Sequence, residues 1–172
     1  MRKRIAVLVT HDFEDSEYAE PVEAFRAARH CISNIEHRAG NIVHGKNRQH
    51  SVTIDQSIDH ASIDDFDALL IPGGHSPERL RSDERYVNFV RNFAGAYKPI
   101  MCICHGPQLL INAHVVKGRR MTTIAPIILE LQDAGAVYFD QPVVNDNNLY
   151  ITSRAPKDLP EFIRETLEVL RL

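Results

Sequence analysis

The sequence predicts a three-layer α/β fold with a mostly parallel central sheet, on three observations. Short apolar runs alternate with amphipathic stretches at the spacing of βα units. The runs at 5–10, 68–72 and 100–103 are continuous rather than alternating, as in strands covered on both faces. The last of them turns at Cys104-His105-Gly106-Pro107 directly into a helical stretch, a strand-to-helix elbow with a thiol on it. At 172 residues the chain suits one domain, residues 1–172, with one core.

Residues 5–10 read as the central strand. Polar residues from His11 to Ser16 follow, and then Tyr18, Val22, Phe25 and Ala28 recur at helical spacing, with Ser16 placed to cap and Pro21 tolerable near the first turn. Glu14 thus stands at the carboxyl end of the strand, where open α/β sheets place ligand crevices; a solvated loop acid is the alternative. Residues 31–35 form a weak second strand, and 41–45 and 51–54 two short strands joined by a polar turn beside the main sheet. The strand at 68–72 stops at Gly73-Gly74, either a plain tight turn or a place of close backbone approach with bare N–H groups. Ser76 reads as the cap and Pro77 as the first residue of a short helical turn, which puts Glu78 near the crevice edge as a candidate orienting carboxylate.

A helix over 84–96 carries Val87, Val90 and Phe93 in its apolar stripe, and Pro99 opens the elbow strand. Beyond the elbow helix, 105–113, come short strands at 121–123, 136–139, 142–144 and 149–151, a helix at 127–134, and a last helix from about 159 to 170.

The chemistry concentrates at Cys104. The thiolate is the reactive form of cysteine, and a helix N-terminus is one of the settings that lowers a thiol pKa. The histidines His30, His37, His44, His50 and His60 share no ligand spacing with a cysteine or carboxylate cluster, so no metal and no cofactor is expected. Lys plus Arg number 20 against 23 Asp plus Glu, dispersed along the chain, which predicts no nucleic-acid or membrane partner. Three cysteines without framework spacing and an apolar N-terminal run too short for a signal or a span point to a reducing cytoplasm.

Phe13-Glu14-Asp15, the turn Ile71-Pro72-Gly73-Gly74-His75-Ser76-Pro77-Glu78, the elbow Ile103-Cys104-His105-Gly106-Pro107-Gln108 and the segment Thr152-Ser153-Arg154-Ala155-Pro156 with Asp158-Leu159 together resemble the ThiJ/PfpI superfamily, in particular its PfpI-type branch of intracellular proteases and bacterial stress proteins. That resemblance implies a flavodoxin-like sandwich, related to the class I glutamine amidotransferase fold, and a homo-oligomer, dimer or hexamer. It implies Cys104 as nucleophile, Glu14 as the acid whose carboxyl hydrogen-bonds the sulfur, and His105 with Glu78 as the rest of a triad, the Glu78 coming from a neighbouring subunit. An anion site would be formed at Gly73, Gly74 and His105. The activities implied are glyoxalase or deglycase action on reactive carbonyls and, as the alternative, peptidase action. A redox-sensing stress protein or holdase chaperone is the reading from another class. An amidotransferase proper would carry a late His-x-Glu motif, and none follows residue 114.

Two positions depart from the family pattern. Cys102 stands where related elbows have a small apolar residue, and it reads as core rather than as a resolving thiol, since the elbow turns Cys104 away from it. Arg29-His30 stands where a helix-ending glycine is expected.

Overall fold

A computed structural model describes residues 1–172. In chain order the elements are β1 (Arg4–Leu8), α1 (Asp15–Ala27), β2 (Cys31–Glu36), the hairpin β3 (Ile42–His44) and β4 (Ser51–Thr53), β5 (Gln56–Ser57), β6 (Ala68–Ile71), α2 (Ser76–Arg81), α3 (Glu84–Gly95), β7 (Ile100–Ile103), α4 (Pro107–Asn112), β8 (Arg120–Met121), α5 (Ile128–Asp133), β9 (Val137–Tyr138), β10 (Val143–Asp146), β11 (Tyr150–Ser153) and α6 (Leu159–Leu170). Seven strands form the main sheet in the order β10-β11-β7-β6-β1-β2-β5. Every pairing in it is parallel except β10 with β11. Three layers with a mostly parallel sheet are therefore present, as expected.

Continuous apolar runs arise because each strand feeds two cores. Ala6 and Leu8, Leu69 and Ile71, Ile100 and Cys102 pack on one face with Val87, Val90 and Phe93 of α3 and Leu109 and Leu110 of α4. Ile5 and Val7, Ala68 and Leu70, Met101 and Ile103 pack on the other with Tyr18, Val22 and Phe25 of α1 and Phe162 of α6. The period of two thus persists, but both faces are apolar and the alternation disappears from the sequence. The central position belongs to β6 and not, as expected, to β1, which lies beside it. All four β6 residues are buried, whereas β1 begins at the exposed Arg4.

Two expected caps are not caps. Ser16 lies inside α1, whose N-cap is Glu14. Ser76 begins α2 behind His75, and its buried hydroxyl accepts from the Thr10 N–H at 2.9 Å, tying the β6 loop to the end of β1. The C-terminus of α1 answers the question raised by the missing glycine. Arg29 takes the left-handed conformation at φ 71°, and the next N–H, from His30, returns to the Phe25 carbonyl at 2.9 Å. A side chain at that φ is strained by roughly 1–2 kcal/mol. Arg29→Gly is accordingly expected to stabilise the fold by about 1 kcal/mol, after the larger entropy loss of glycine is subtracted. Urea denaturation checks it, and an unchanged or lower midpoint would refute the strain argument.

Candidate active site

The loops after β1, β6 and β7 leave the sheet on the same side, and they build one crevice at the carboxyl ends of these parallel strands. Cys104 follows β7 immediately and has φ 66°, the left-handed region in which a non-glycine residue is held only by its surroundings. Three hydrogen bonds hold it. Its N–H donates to the Ser153 carbonyl at 3.0 Å, and its own carbonyl accepts from the Thr123 hydroxyl at 2.6 Å and the Ile124 N–H at 3.2 Å. The turn into α4 passes so close to the sheet that a Cβ at Gly106 would lie 2.7 Å from Cys102 Cβ and 2.8 Å from the Ile71 carbonyl oxygen. Only glycine fits there.

The Cys104 sulfur is almost enclosed, the residue being 4 % exposed. Backbone N–H groups of Gly74 and His105 donate to it, and His105 Nδ1 lies 3.3 Å from Sγ. The carboxyl group that lies beside it and acts on its titration belongs to Glu17, whose residue has no exposed surface. One Glu17 oxygen, Oε1, accepts from the Gly73 N–H at 2.9 Å, while the buried Oε2 has no hydrogen-bond partner. Burial, and next the charge of Glu14, push the Glu17 carboxyl up to about 8. Burial, and next the charge of an ionised Glu17, push the Cys104 thiol up to about 12, against the pull of the two N–H donors.

These groups titrate as a pair. Releasing one proton is far easier than releasing two, so the carboxyl stays protonated at neutral pH beside the thiol, and the two N–H donors favour the anion when the sulfur gives up its proton. His105 is held below its ordinary value by burial, and then by the charges of His75 and Lys46, so its ring is neutral at neutral pH.

Gly73 is the spacer of this pair. A Cβ there would lie 2.4 Å from Glu17 Oε1, 2.7 Å from Cys104 Cβ and 2.9 Å from the Ile103 carbonyl oxygen. Gly73→Ala is expected to destabilise the fold by about 2–3 kcal/mol, because two buried side chains and a strand carbonyl must all move. Chemical denaturation measures it, and a loss below about 0.5 kcal/mol would show that the crevice yields.

Two sequence expectations, for Glu14 and Gly73, need correction. Glu14 does not touch the sulfur: its Oε1 lies 2.8 Å from Lys46 Nζ and its Oε2 accepts from Asn47 Nδ2 at 3.0 Å. Glu17, one helical turn on, lies on the inner face of α1 with Pro21 and Phe25, and so reaches the thiol. Gly73 commits its N–H to Glu17, leaving Gly74 and His105 as the donors to the sulfur. Glu78 is exposed on α2 and forms no ion pair or hydrogen bond within the chain, although its charge acts on His105. Cys102 is fully buried in the opposite core from Cys104, and all three cysteines are free thiols.

The residues missed are Glu17, Asp15 and Lys46. A glutamate in line with an apolar helix face was the available signal for Glu17, because carboxylates are rarely buried without a partner. No group of three or more His, Cys, Asp or Glu side chains is placed to hold a metal ion, and no helix is long and apolar enough to cross a membrane.

The DJ-1/PfpI family profile matches residues 3–169. Protein/nucleic acid deglycase 2 of Escherichia coli (strain K12) is 53 % identical over 170 residues, covering 99 % of both chains. General stress protein 18 of Bacillus subtilis (strain 168) is 49 % identical over 170 residues, with the same coverage. Among solved structures, a two-domain protein of Anabaena variabilis with DJ-1/ThiJ/PfpI-like and ferritin-like domains superposes with a TM-score of 0.95 at 32 % identity, over 98 % of this chain and 48 % of that one.

Proposed function

The chain belongs to the DJ-1/PfpI family, and from that premise we propose that it is a cysteine-dependent stress enzyme in which Cys104 attacks reactive carbonyls and early glycation adducts. The observation that carries this reading is the Cys104–Glu17 pair, a thiol and a neutral carboxyl in contact, with the N–H groups of Gly74 and His105 on the sulfur. The thiolate adds to the aldehyde carbon, forming the C–S bond as the carbonyl π electrons move to oxygen, and the Glu17 proton passes to that oxygen. The donors of Gly74 and His105 then serve as the anion site for the developing oxyanion.

Neutral His105 is the group to move the proton from the sulfur-bearing carbon to its neighbour, giving a 2-hydroxyacyl thioester. Water hydrolyses the thioester to a 2-hydroxy acid and restores the thiol. For a glycated amine the thiolate attacks the hemiaminal carbon, the C–S bond forming as the C–N bond breaks, and the amine leaves with the Glu17 proton. The name of the Escherichia coli relative extends its targets to protein and nucleic acid. We take the substrate class here to be the glycated group itself, with any nucleic acid entering only as its carrier.

On this reading Glu78 orients His105 from a neighbouring copy, since within the chain it is exposed and unpaired, so the protein works as a dimer or hexamer in a reducing cytoplasm. Purified protein given methylglyoxal should form lactate, and given a glycated peptide should release the free amine. Casein cleavage without carbonyl turnover would favour a peptidase. Peroxide oxidation confined to Cys104 with neither activity would favour a redox sensor.

A further inference from the structure

The turn between β3 and β4 is built onto α1 with more care than a surface hairpin needs. The Asp15 carboxylate, buried at the start of α1, accepts the N–H groups of Asn47 at 2.8 Å, Gln49 at 3.0 Å and His50 at 2.9 Å. A Cβ at Gly45 would lie 2.2 Å from Asp15 Oδ2, so the turn closes directly on the carboxylate. A two-stranded hairpin this short has little stability of its own; Val43 and Val52 bury it against the core on the α1 side, and Asp15 fixes the turn itself.

What the turn carries is Lys46. Its N–H donates to the Phe13 carbonyl at 2.9 Å, Phe13 bridges to Gly74, and the Gly74 N–H faces the Cys104 sulfur. The Lys46 side chain is 37 % exposed and its ammonium meets Glu14 at 2.8 Å on the crevice rim. The charges of Cys104 and Glu17 both act on it. A partly exposed ion pair contributes about 0–1 kcal/mol to stability, which gives no reason for anchoring the turn on three N–H bonds. Exchange of Glu14 for another anion, however, keeps the ammonium paired.

We propose that Lys46 is the substrate anion anchor of this site, selecting α-oxoaldehydes that carry a carboxylate or phosphate beyond the dicarbonyl unit, and that Asp15 is its positioning residue. The proposal deepens the carbonyl chemistry put forward above and rests on it for the identity of the substrate.

Cys104 alkylation by anionic iodoacetate and neutral iodoacetamide, read by peptide mass, tests the anchor without any turnover. The ratio of the two rates cancels changes in thiol pKa. Glu14→Gln, which frees Lys46, is compared with the double variant Glu14→Gln/Lys46→Met, so that an unpaired Glu14 cannot produce the effect. The iodoacetate to iodoacetamide ratio is expected to be about fivefold to tenfold higher in the single variant. Equal ratios in the two variants, or a Cys104 inert to both reagents, would overturn the proposal. With substrates, Lys46→Met should raise KM for the phosphorylated α-oxoaldehyde 3-phosphooxy-2-oxopropanal about fivefold to tenfold and change that for methylglyoxal less than twofold. Wild-type protein that shows the alkylation ratio but turns over no carbonyl would uphold the anchor and overturn the proposed activity.

Discussion

Replacing Cys104 by serine is expected to lower carbonyl turnover by at least about a thousandfold while changing folding stability by no more than about 1 kcal/mol. Serine keeps the strained backbone, since its φ is imposed by the bonds to Ser153, Thr123 and Ile124 rather than by the side chain. Its hydroxyl also fills the space of the thiol and can accept from Gly74 and His105. What it cannot do is give up its proton to become a nucleophile near neutral pH, because an alkoxide is far more basic than a thiolate. Lactate formation from methylglyoxal, measured beside a urea melt, separates the two effects. Turnover equal to wild type in the serine variant would remove Cys104 from the chemistry.

Glu17→Gln is expected to remove the pH dependence of stability that Glu17 imposes. The folded protein holds the Glu17 proton up to about 8, against an ordinary value of 4.5. The stabilisation this gives is complete below the ordinary value and is lost as pH rises through the folded one. Each pH unit in that window removes about 1.4 kcal/mol of wild-type stability relative to a side chain that cannot ionise. Glutamine can still accept from the Gly73 N–H and donate to the sulfur, so the two proteins should be nearly equally stable at pH 4. The variant should then be more stable by roughly 3–5 kcal/mol at pH 8. Guanidinium denaturation at pH 4, 6 and 8 supplies the comparison, and parallel curves for the two proteins would show that Glu17 is ionised in the fold at neutral pH. Carbonyl turnover should fall in the same variant, because the proton for the oxyanion is gone.

The architecture was legible where burial leaves a local mark. Buried strands show as unbroken apolar runs, the elbow shows as Cys-His-Gly-Pro after such a run, and α6 was read at its observed limits because its apolar stripe is regular. The interior of the site was less legible. Glu14 and Glu17 are both acids at the start of one helix, and which of them turns inward depends on the N-terminus of α1 lying at Asp15 rather than beyond Ser16. A shift of that boundary by one or two residues rotates the helix face enough to exchange a rim acid for a buried one. Ser76 misled for a similar reason, since its partner is the Thr10 backbone, 66 positions away, rather than its own helix. The Asp15 clamp on the β3–β4 turn likewise spans 32 to 35 positions and leaves no periodic trace. Long-range hydrogen bonds to single backbone groups carry no pattern that a window of sequence can hold.

The bonds that hold the Cys104 backbone also fix when the thiol becomes reactive during synthesis. Its N–H waits for Ser153, its carbonyl for Thr123 and Ile124, and its sulfur for Glu17 and Gly74. Partners on both sides of the elbow, from near the start of the chain to the strand before the last helix, must be present together. A nascent polypeptide emerging from the ribosome therefore carries position 104 as an ordinary cysteine until β11 has been made and paired with β7. The setting of the nucleophile thus depends on segments from Glu17 to Ser153 at once, and a fragment ending before β11 lacks the partner of the Cys104 N–H.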